Sequence, residues 1–332
     1  MTGLLNFRKQ DHVSLQFKDH VIRCVITKEA SEASMVAFYE KAVPEGIIEK
    51  GKIIDETNFV LILEECIANW KLKRKNIKFL VPDSSIFFRK LSLPNNLTKE
   101  EIRGHINFEI GTSIHLPFED ASFDFHILDS EEETETIEIL FFAVPEPLLK
   151  QYVKHLEDGN TKPDVADVAA LSLYRFYYLN YLDQIDDDAH IMLLEWDMTS
   201  INVSVFNHHK PIFLRSIPHY LDVENWEMTQ EDSLVTWKDI NSEKIDGDLA
   251  DSFTEIERVI DFYKYTLFKG EKEVSKIFLT GDHPMLMKVK KMLENSTGLE
   301  IEMKHSIGDI IEDNSNVANK FLLPLSLCLK EV

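Results

Sequence analysis

Between His12 and Thr27 apolar side chains take alternate positions at Val13, Leu15 and Phe17, and resume from Val21 to Ile26 after the polar Lys18-Asp19-His20. Period two with a polar break predicts two strands joined by a turn. Met35 to Lys41 reads as a third strand. The spacing then lengthens. Phe59, Leu63, Ile67 and Trp70 share one face of a helix over Thr57–Trp70, and Ile77–Val81 returns as a strand. A similar order recurs later. His190–Glu195 is strand-like, Ile201, Val203 and Val205 alternate, and Asn207-His208-His209-Lys210 makes a turn into Pro211–Ile217. Phe253, Ile256, Ile260, Tyr263 and Leu267 then mark a regular helix. A strand at Val274–Thr280, a helix at Met285–Leu293 and a strand at Leu299–Met303 follow. Asn316–Leu327 is a terminal helix interrupted by Pro324, and Pro218–Gly247 is polar, with no clear element.

A different unit separates the two halves. Ile86, Phe87 and Phe88 are β-formers, and Pro94-Asn95-Asn96 is a turn. Thr98 and Glu101 form a capping box, each able to satisfy the other's free amide. Ile102, Ile106 and Ile110 then line one helix face, and beyond Pro117 the residues Phe123, Phe125 and Ile127 alternate with Asp124 and His126. Ile137–Val144 is a further apolar run, and Pro145–Asp158 a helix. Strand, helix and hairpin make a compact α+β module. Beyond it come a short strand at Pro163–Val168 and a helix over Val168–Leu182. The Tyr and Phe residues of that helix suit an interdomain core better than a stacking surface. Asp186-Asp187-Asp188 reads as a lobe boundary, because adjacent like charges favour exposure.

Size and charge narrow the functional classes. A chain of 332 residues exceeds what one core sustains, so two lobes are expected. The net charge of −22 repels nucleic acid and anionic lipid, which argues against both as ligands. The small basic cluster Lys71, Lys73, Arg74, Lys75 and Lys78 suits a helix C-terminus. Residues 1–9 lack the apolar core of a signal peptide, and no apolar run is long enough for a membrane span. Cys24, Cys66 and Cys328 are odd in number and far apart, as expected of reduced, buried thiols. His208-His209 lacks neighbouring ligands at metal spacing, so no metal site is expected. The chain carries no nucleophile-elbow, Walker, zincin or dinucleotide motif, so no catalytic residue is assigned.

The stretch PDSSIFFRKLSLP…LTKEEIRGHINFEIGTSIHLPFEDASFDFHIL resembles the core of the PilM proteins, actin-like cytoplasmic components of type IV pilus assembly. Three further segments resemble that family in the same order: MLLEWDMTSINVSVFNHHKPIFLRSIP, EIERVIDFYKYTLF and KIFLTGDHPMLMKVKKMLENSTGLEIE. The resemblance implies an actin-like (ribonuclease H-like) two-lobe α/β fold with an inserted strand-helix-strand-strand module. On this plan the first lobe is 1–84 and 161–185, the module 85–160, the second lobe 186–312, and 313–332 a helix packing back on the first lobe.

Such proteins hold ATP between two hairpin turns and a glycine-rich loop, where glycine lets backbone amides reach phosphate and carboxylates place the metal. Here Gln16 stands for the first hairpin's aspartate and Lys18 for its glycine. Glu195 and Asp197 stand likewise in the second hairpin, ahead of Thr199. In the adenosine loop Gly281 remains, but Asp282 and His283 replace the next glycines. Asp197 would set a carboxylate where phosphate belongs. The expectation is a scaffold whose ATP binding is weak or lost. The alternative is an active ATPase holding Mg-ATP between its lobes, with Glu195 on the metal and Lys18 on the phosphates. A filament former like FtsA is a third option, but the C-terminal amphipathic helix of that family is not seen at Leu329–Val332.

The resemblance further implies a cytoplasmic protein held at the membrane by a partner. That partner is the cytoplasmic tail of a PilN-like bitopic membrane protein, gripped between the first lobe and the module. Phe87, Arg89, Ile102 and Ile106 lie in the relevant module. Other pilus or competence platform proteins are further expected partners, and a homodimer stays open.

Overall fold

The structure, a computed structural model, describes residues 11–128, 135–181, 186–218, 226–231, 234–307, 311 and 315–331. Residues 1–9 and the segment limits expected at 185, 312, 313 and 332 lie outside them.

Strands β1 (His12–Lys18), β2 (Val21–Thr27) and β3 (Met35–Ala42) form an antiparallel meander. A short hairpin, β4 (Ile48–Glu49) with β5 (Lys52–Ile53), leads to helix α1 (Glu56–Asn69). The Asp55 carboxylate starts that helix by accepting from the Asn58 N–H at 3.0 Å. Strand β6 (Asn76–Leu80) then runs parallel to β1.

Next come β7 (Phe87–Pro94), α2 (Lys99–Glu109), β8 (Ala121–Ile127), β9 (Thr136–Pro145) and α3 (Glu146–Asp158). Strand β10 (Lys162–Asp167) completes the first sheet beside β6, and α4 (Ala169–Tyr181) follows.

The second sheet repeats the plan. An antiparallel meander of β11 (Ile191–Trp196), β12 (Ser200–Asn207) and β13 (Lys210–Pro218) is followed by the hairpin β14 (Trp226–Glu231) and β15 (Leu234–Asp239). Then come α5 (Ser242–Asp261), β16 (Lys276–Thr280), α6 (Leu286–Thr297), β17 (Ile301–Glu302) and α7 (Ser315–Cys328). The sheet orders are β10-β6-β1-β2-β3 and β13-β12-β11-β16-β17. Each is therefore a three-strand meander whose first strand pairs in parallel with one later strand, which in turn pairs in parallel with a second.

The chain divides into two compact units, one of residues 1–83 and 156–332 and the other of Ser84–His155. Both five-stranded sheets belong to the first of these units. Their shared core explains why. Val25, Met35 and Leu80 of the first sheet and Leu193, Phe206 and Phe278 of the second pack into one cluster with α4 and α7. Helix α7 buries Leu322, Leu323, Leu325 and Leu327 there, at about 1.5–3 kcal/mol for each fully buried side chain. The alternation read in β1 is only half the picture, because α1 and α7 cover both faces and Ser14 and Gln16 are buried too. Ser14 Oγ is satisfied by donating to the Pro324 carbonyl at 2.5 Å.

Two segments depart from the sequence reading. The polar Pro218–Gly247 contains the β14–β15 hairpin and the start of α5. The helix expected to reach Leu267 passes into a π turn at Phe262–Leu267. The Phe268 N–H reaches back five residues to the Tyr263 carbonyl at 3.3 Å, which shifts the register and leaves Leu267 43% exposed.

In the Ser84–His155 unit, the sheet β7-β9-β8 packs one face on α2. The capping box forms as the spacing predicts, with Thr98 and Glu101 each accepting from the other's N–H. Here one expectation is corrected. Ile102 and Ile106 are fully buried in this unit's core, where the apolar face of α2 meets Ile139 and Phe141, so neither can touch a partner. Phe87 packs edge-on against Phe141 at 6.2 Å, and Arg89 lies over the Phe87 ring at 5.4 Å.

Candidate functional site

Three backbone turns converge: β1–β2, β11–β12, and the loop after β16. Lys18 at the end of β1, His20 in the β1–β2 turn and Arg23 on β2 reach the second lobe. The β11–β12 turn is closed by the Asp197 N–H donating to the Ser200 carbonyl at 2.9 Å, and it offers Glu195 and Asp197. The loop after β16 offers Asp282.

Lys18 Nζ lies 2.6 Å from Glu195 Oε1 and also contacts Asp197 Oδ2, with side-chain exposures of 9%, 4% and 1%. Burial works against the ammonium charge, but the Asp197 and Glu195 carboxylates outweigh it and raise the Lys18 pKa. Gln16 Nε2 reaches Glu195 Oε1 at 3.5 Å, and Asn202 Nδ2 donates to Glu195 at 2.9 Å and to Asp83 at 3.2 Å. One ammonium cannot neutralise three enclosed carboxylates. Burial and repulsion by Glu195 therefore raise Asp197 against the pull of Lys18, and burial raises Asp83 to about 6.

A second cluster adjoins the first. Arg23 donates to Glu40 at 2.9 Å and to Asp282 at 2.8 Å, and His20 Nε2 lies 2.7 Å from the same Asp282 oxygen. The other Asp282 oxygen accepts from the Met198 backbone N–H at 2.9 Å. Burial would raise the Asp282 pKa, but His20 and Arg23 hold it well below the usual carboxylate range. The β14–β15 hairpin lies over this cluster. The Val235 N–H donates to Glu40 at 2.5 Å, and Trp237 stands edge-on to His20 at 5.7 Å.

The residues matched to nucleotide motifs are thus brought together, apart from Thr199. That side chain sits half-buried in the β11–β12 turn and makes no hydrogen bond among the described residues. Gly281 has a different reason to be glycine. Its φ is +130°, and a Cβ there would stand 2.1 Å from the Trp196 carbonyl oxygen. Among the described residues no group of three or more His, Cys, Asp or Glu side chains is arranged to hold a metal ion.

Magnesium nucleotide fits these residues poorly. The turn amide of Met198 and the cations of the first hairpin are engaged by protein carboxylates, and the Glu195–Asp197 pair is engaged by Lys18. Arg23, His20 and Glu40 were not singled out in the sequence. A cation inside the apolar run Val21-Ile22-Arg23-Cys24-Val25 could have signalled a buried pair, since such charges are almost never buried alone.

A shallow depression of about 500 Å³ lies elsewhere on this unit, lined by Leu61, Glu64, Ala68 and Lys73 of α1 and the following loop, and by Asp158. Leu61 is 58% exposed there.

The sequence profile of the family described as type IV pilus assembly protein PilM matches residues 15–325. No curated protein matches the chain. The fold is similar to the solved PilM-PilN type IV pilus biogenesis complex, with TM-score 0.75, 14% identity, and coverage of 97% of this chain and 98% of that one. It is also similar to a Bacteroides thetaiotaomicron protein with an actin-like ATPase fold and unknown function, with TM-score 0.53, 12% identity, and coverage of 99% and 100%. These likenesses show the actin-like fold that the duplicated sheets display.

Proposed function

The chain belongs to the family of the type IV pilus assembly protein PilM, and from that premise we propose that it is a docking scaffold working without nucleotide. Its place would be the cytoplasmic face of a type IV pilus or DNA-uptake platform, and its ligand the cytoplasmic tail of a PilN-like membrane protein. The similar solved complex joins PilM to PilN, which supports the choice of partner. Among the described residues no helix is long and apolar enough to cross a membrane; attachment would run through the partner.

The single observation behind the nucleotide-free reading is the filled cleft. Where family members offer turn amides and metal-placing carboxylates, this chain sets Lys18 between Glu195 and Asp197 and Asp282 on the Met198 N–H. A phosphate would have to displace buried ion pairs and approach the Asp282 carboxylate, which His20 and Arg23 hold in its charged form in an enclosed space. The alternative ATPase would need Lys18 and Glu195 free to engage phosphate and metal.

The tail's seat is assigned to the depression beside α1. Leu61 would receive an apolar anchor, and Glu64, Glu65 and Asp158 would receive basic residues. Two measurements test the reading. Calorimetry with Mg-ATP should give no heat of binding. A micromolar Kd, about −8 kcal/mol, abolished by Glu195→Ala would establish the ATPase instead. Fluorescence anisotropy with the labelled N-terminal tail of the cognate partner should show binding weakened at least about 10-fold by Leu61→Asp, the loss of one anchor contact. Unchanged affinity would move the seat elsewhere.

A further inference from the structure

Asp282 is 4% exposed, and its carboxylate is held by donors from two lobes. His20 Nε2 lies at 2.7 Å and Arg23 Nη2 at 2.8 Å, both from the first-lobe hairpin. The Met198 backbone N–H at 2.9 Å comes from the second-lobe turn. A guanidinium, an imidazole and a turn amide converging on one point are the donor set of an oxyanion-binding site. The anion they share is supplied by the chain itself, from the loop after β16. Beside it, Lys18 supplies an ammonium to Glu195 and Asp197.

We propose that the cleft is an oxyanion-binding site whose ligand is tethered: the Asp282 side chain occupies a pocket built for a free oxyanion of the formate or phosphate class. The proposal deepens the nucleotide-free reading and rests on it only in requiring that the wild-type cleft is already filled. Its consequence is mechanical. The anion that would draw both hairpins together reversibly in a ligand-driven clamp is here permanent, so the two lobes keep one relation whatever the solution contains.

The test uses the full chain carrying Asp282→Ala, which leaves Arg23, His20 and the Met198 N–H around a carboxylate-sized gap. Variant and wild type are refolded from urea in formate, phosphate or chloride at equal ionic strength, with Trp237, edge-on to His20 at 5.7 Å, as the fluorescent reporter. A ligand that binds the folded variant alone raises its folded-to-unfolded ratio about 100-fold at about 100 times Kd. The expected result is saturable rescue of Asp282→Ala by formate or phosphate over chloride. Wild type should not respond, and neither should the double variant Asp282→Ala, Arg23→Met. Refolding yield reports the rescue even if the variant does not fold in chloride. No rescue by either anion, or equal rescue of the double variant, overturns the proposal. Failure with wild type still indifferent to Mg-ATP would leave the scaffold reading standing, whereas Mg-ATP binding to wild type would remove both.

Discussion

Replacing Arg23 with methionine removes a guanidinium whose side chain is 2% exposed and which faces two carboxylates, Glu40 and Asp282, of 0% and 1% exposure. Methionine keeps most of the side-chain length, so the main effect is electrostatic. Removing one partner of a buried pair costs about 3–5 kcal/mol, because the remaining charge stays enclosed. Neither carboxylate is wholly abandoned. Glu40 keeps the Val235 N–H at 2.5 Å and Lys320 at 3.4 Å, while Asp282 keeps His20 and the Met198 N–H. The lower end, about 3 kcal/mol, is therefore expected, or about 100-fold in the folded-to-unfolded ratio.

The pH dependence supplies a second check. In the wild type, burial is outweighed by His20 and Arg23, and Asp282 is held well below its ordinary value. Its stabilisation is thus present above the unfolded carboxylate pKa and lost as pH falls through the lower folded one. In Arg23→Met that depression is relieved, so the gap between variant and wild type should narrow on acidification. Urea unfolding followed by tryptophan fluorescence at pH 7.5 and at a pH below the ordinary Asp value of 3.8 measures both quantities. A gap below about 1 kcal/mol at neutral pH, the range of an exposed pair, would refute the reasoning. So would a gap that widens in acid.

Gly281→Ala should cost roughly 3 kcal/mol or more, because its Cβ would meet the Trp196 carbonyl, backbone that cannot swing aside, at 2.1 Å. A thermal melt within 2 °C of wild type, well inside the shift expected from such a loss, would show that the loop relaxes freely. Burial pushes the His283 pKa from 6.5 down to about 4, so the ring stays neutral in the folded chain, where Nδ1 accepts from the Met285 N–H at 3.0 Å. The folded value lies below the unfolded one, so this contribution is complete above pH 6.5 and lost as pH falls toward 4. The shift corresponds to about 3 kcal/mol over that window, and His283→Gln should remove about that much of the stability lost between pH 6.5 and pH 4. An unchanged slope would show that the ring is solvated.

Element type was legible wherever one face of a strand or helix meets a core. The β1–β2 and β11–β12 hairpins, α1 and α2 follow directly from spacings of two and of three to four. The helix cap at Thr98 was readable because both partners lie within one turn. The π turn was not: the spacing of Tyr263 and Leu267 suits an ordinary helix, and the extra residue arises from local hydrogen bonding. The β14–β15 hairpin was hidden because its strands are mostly polar and rest partly on Glu40 and His20, far away in sequence. Ile102 and Ile106 show the reverse hazard. Their period correctly marked a helix face, but an apolar face is first of all a core face, and here it is wholly buried.

The sequence by itself determined that two similar strand-and-helix halves flank an α+β insert, and that the turns lack the glycines through which backbone approaches phosphate. Those are local properties, set by side-chain period and by conformational freedom at single positions. Only the tertiary structure decided what the substituted residues do. Lys18 and Glu195 are 177 positions apart and Arg23 and Asp282 are 259, so no pattern along the chain could pair them. Folding brings them into an enclosed space where unpaired charge is costly, and that cost is why the cleft closes on its own side chains.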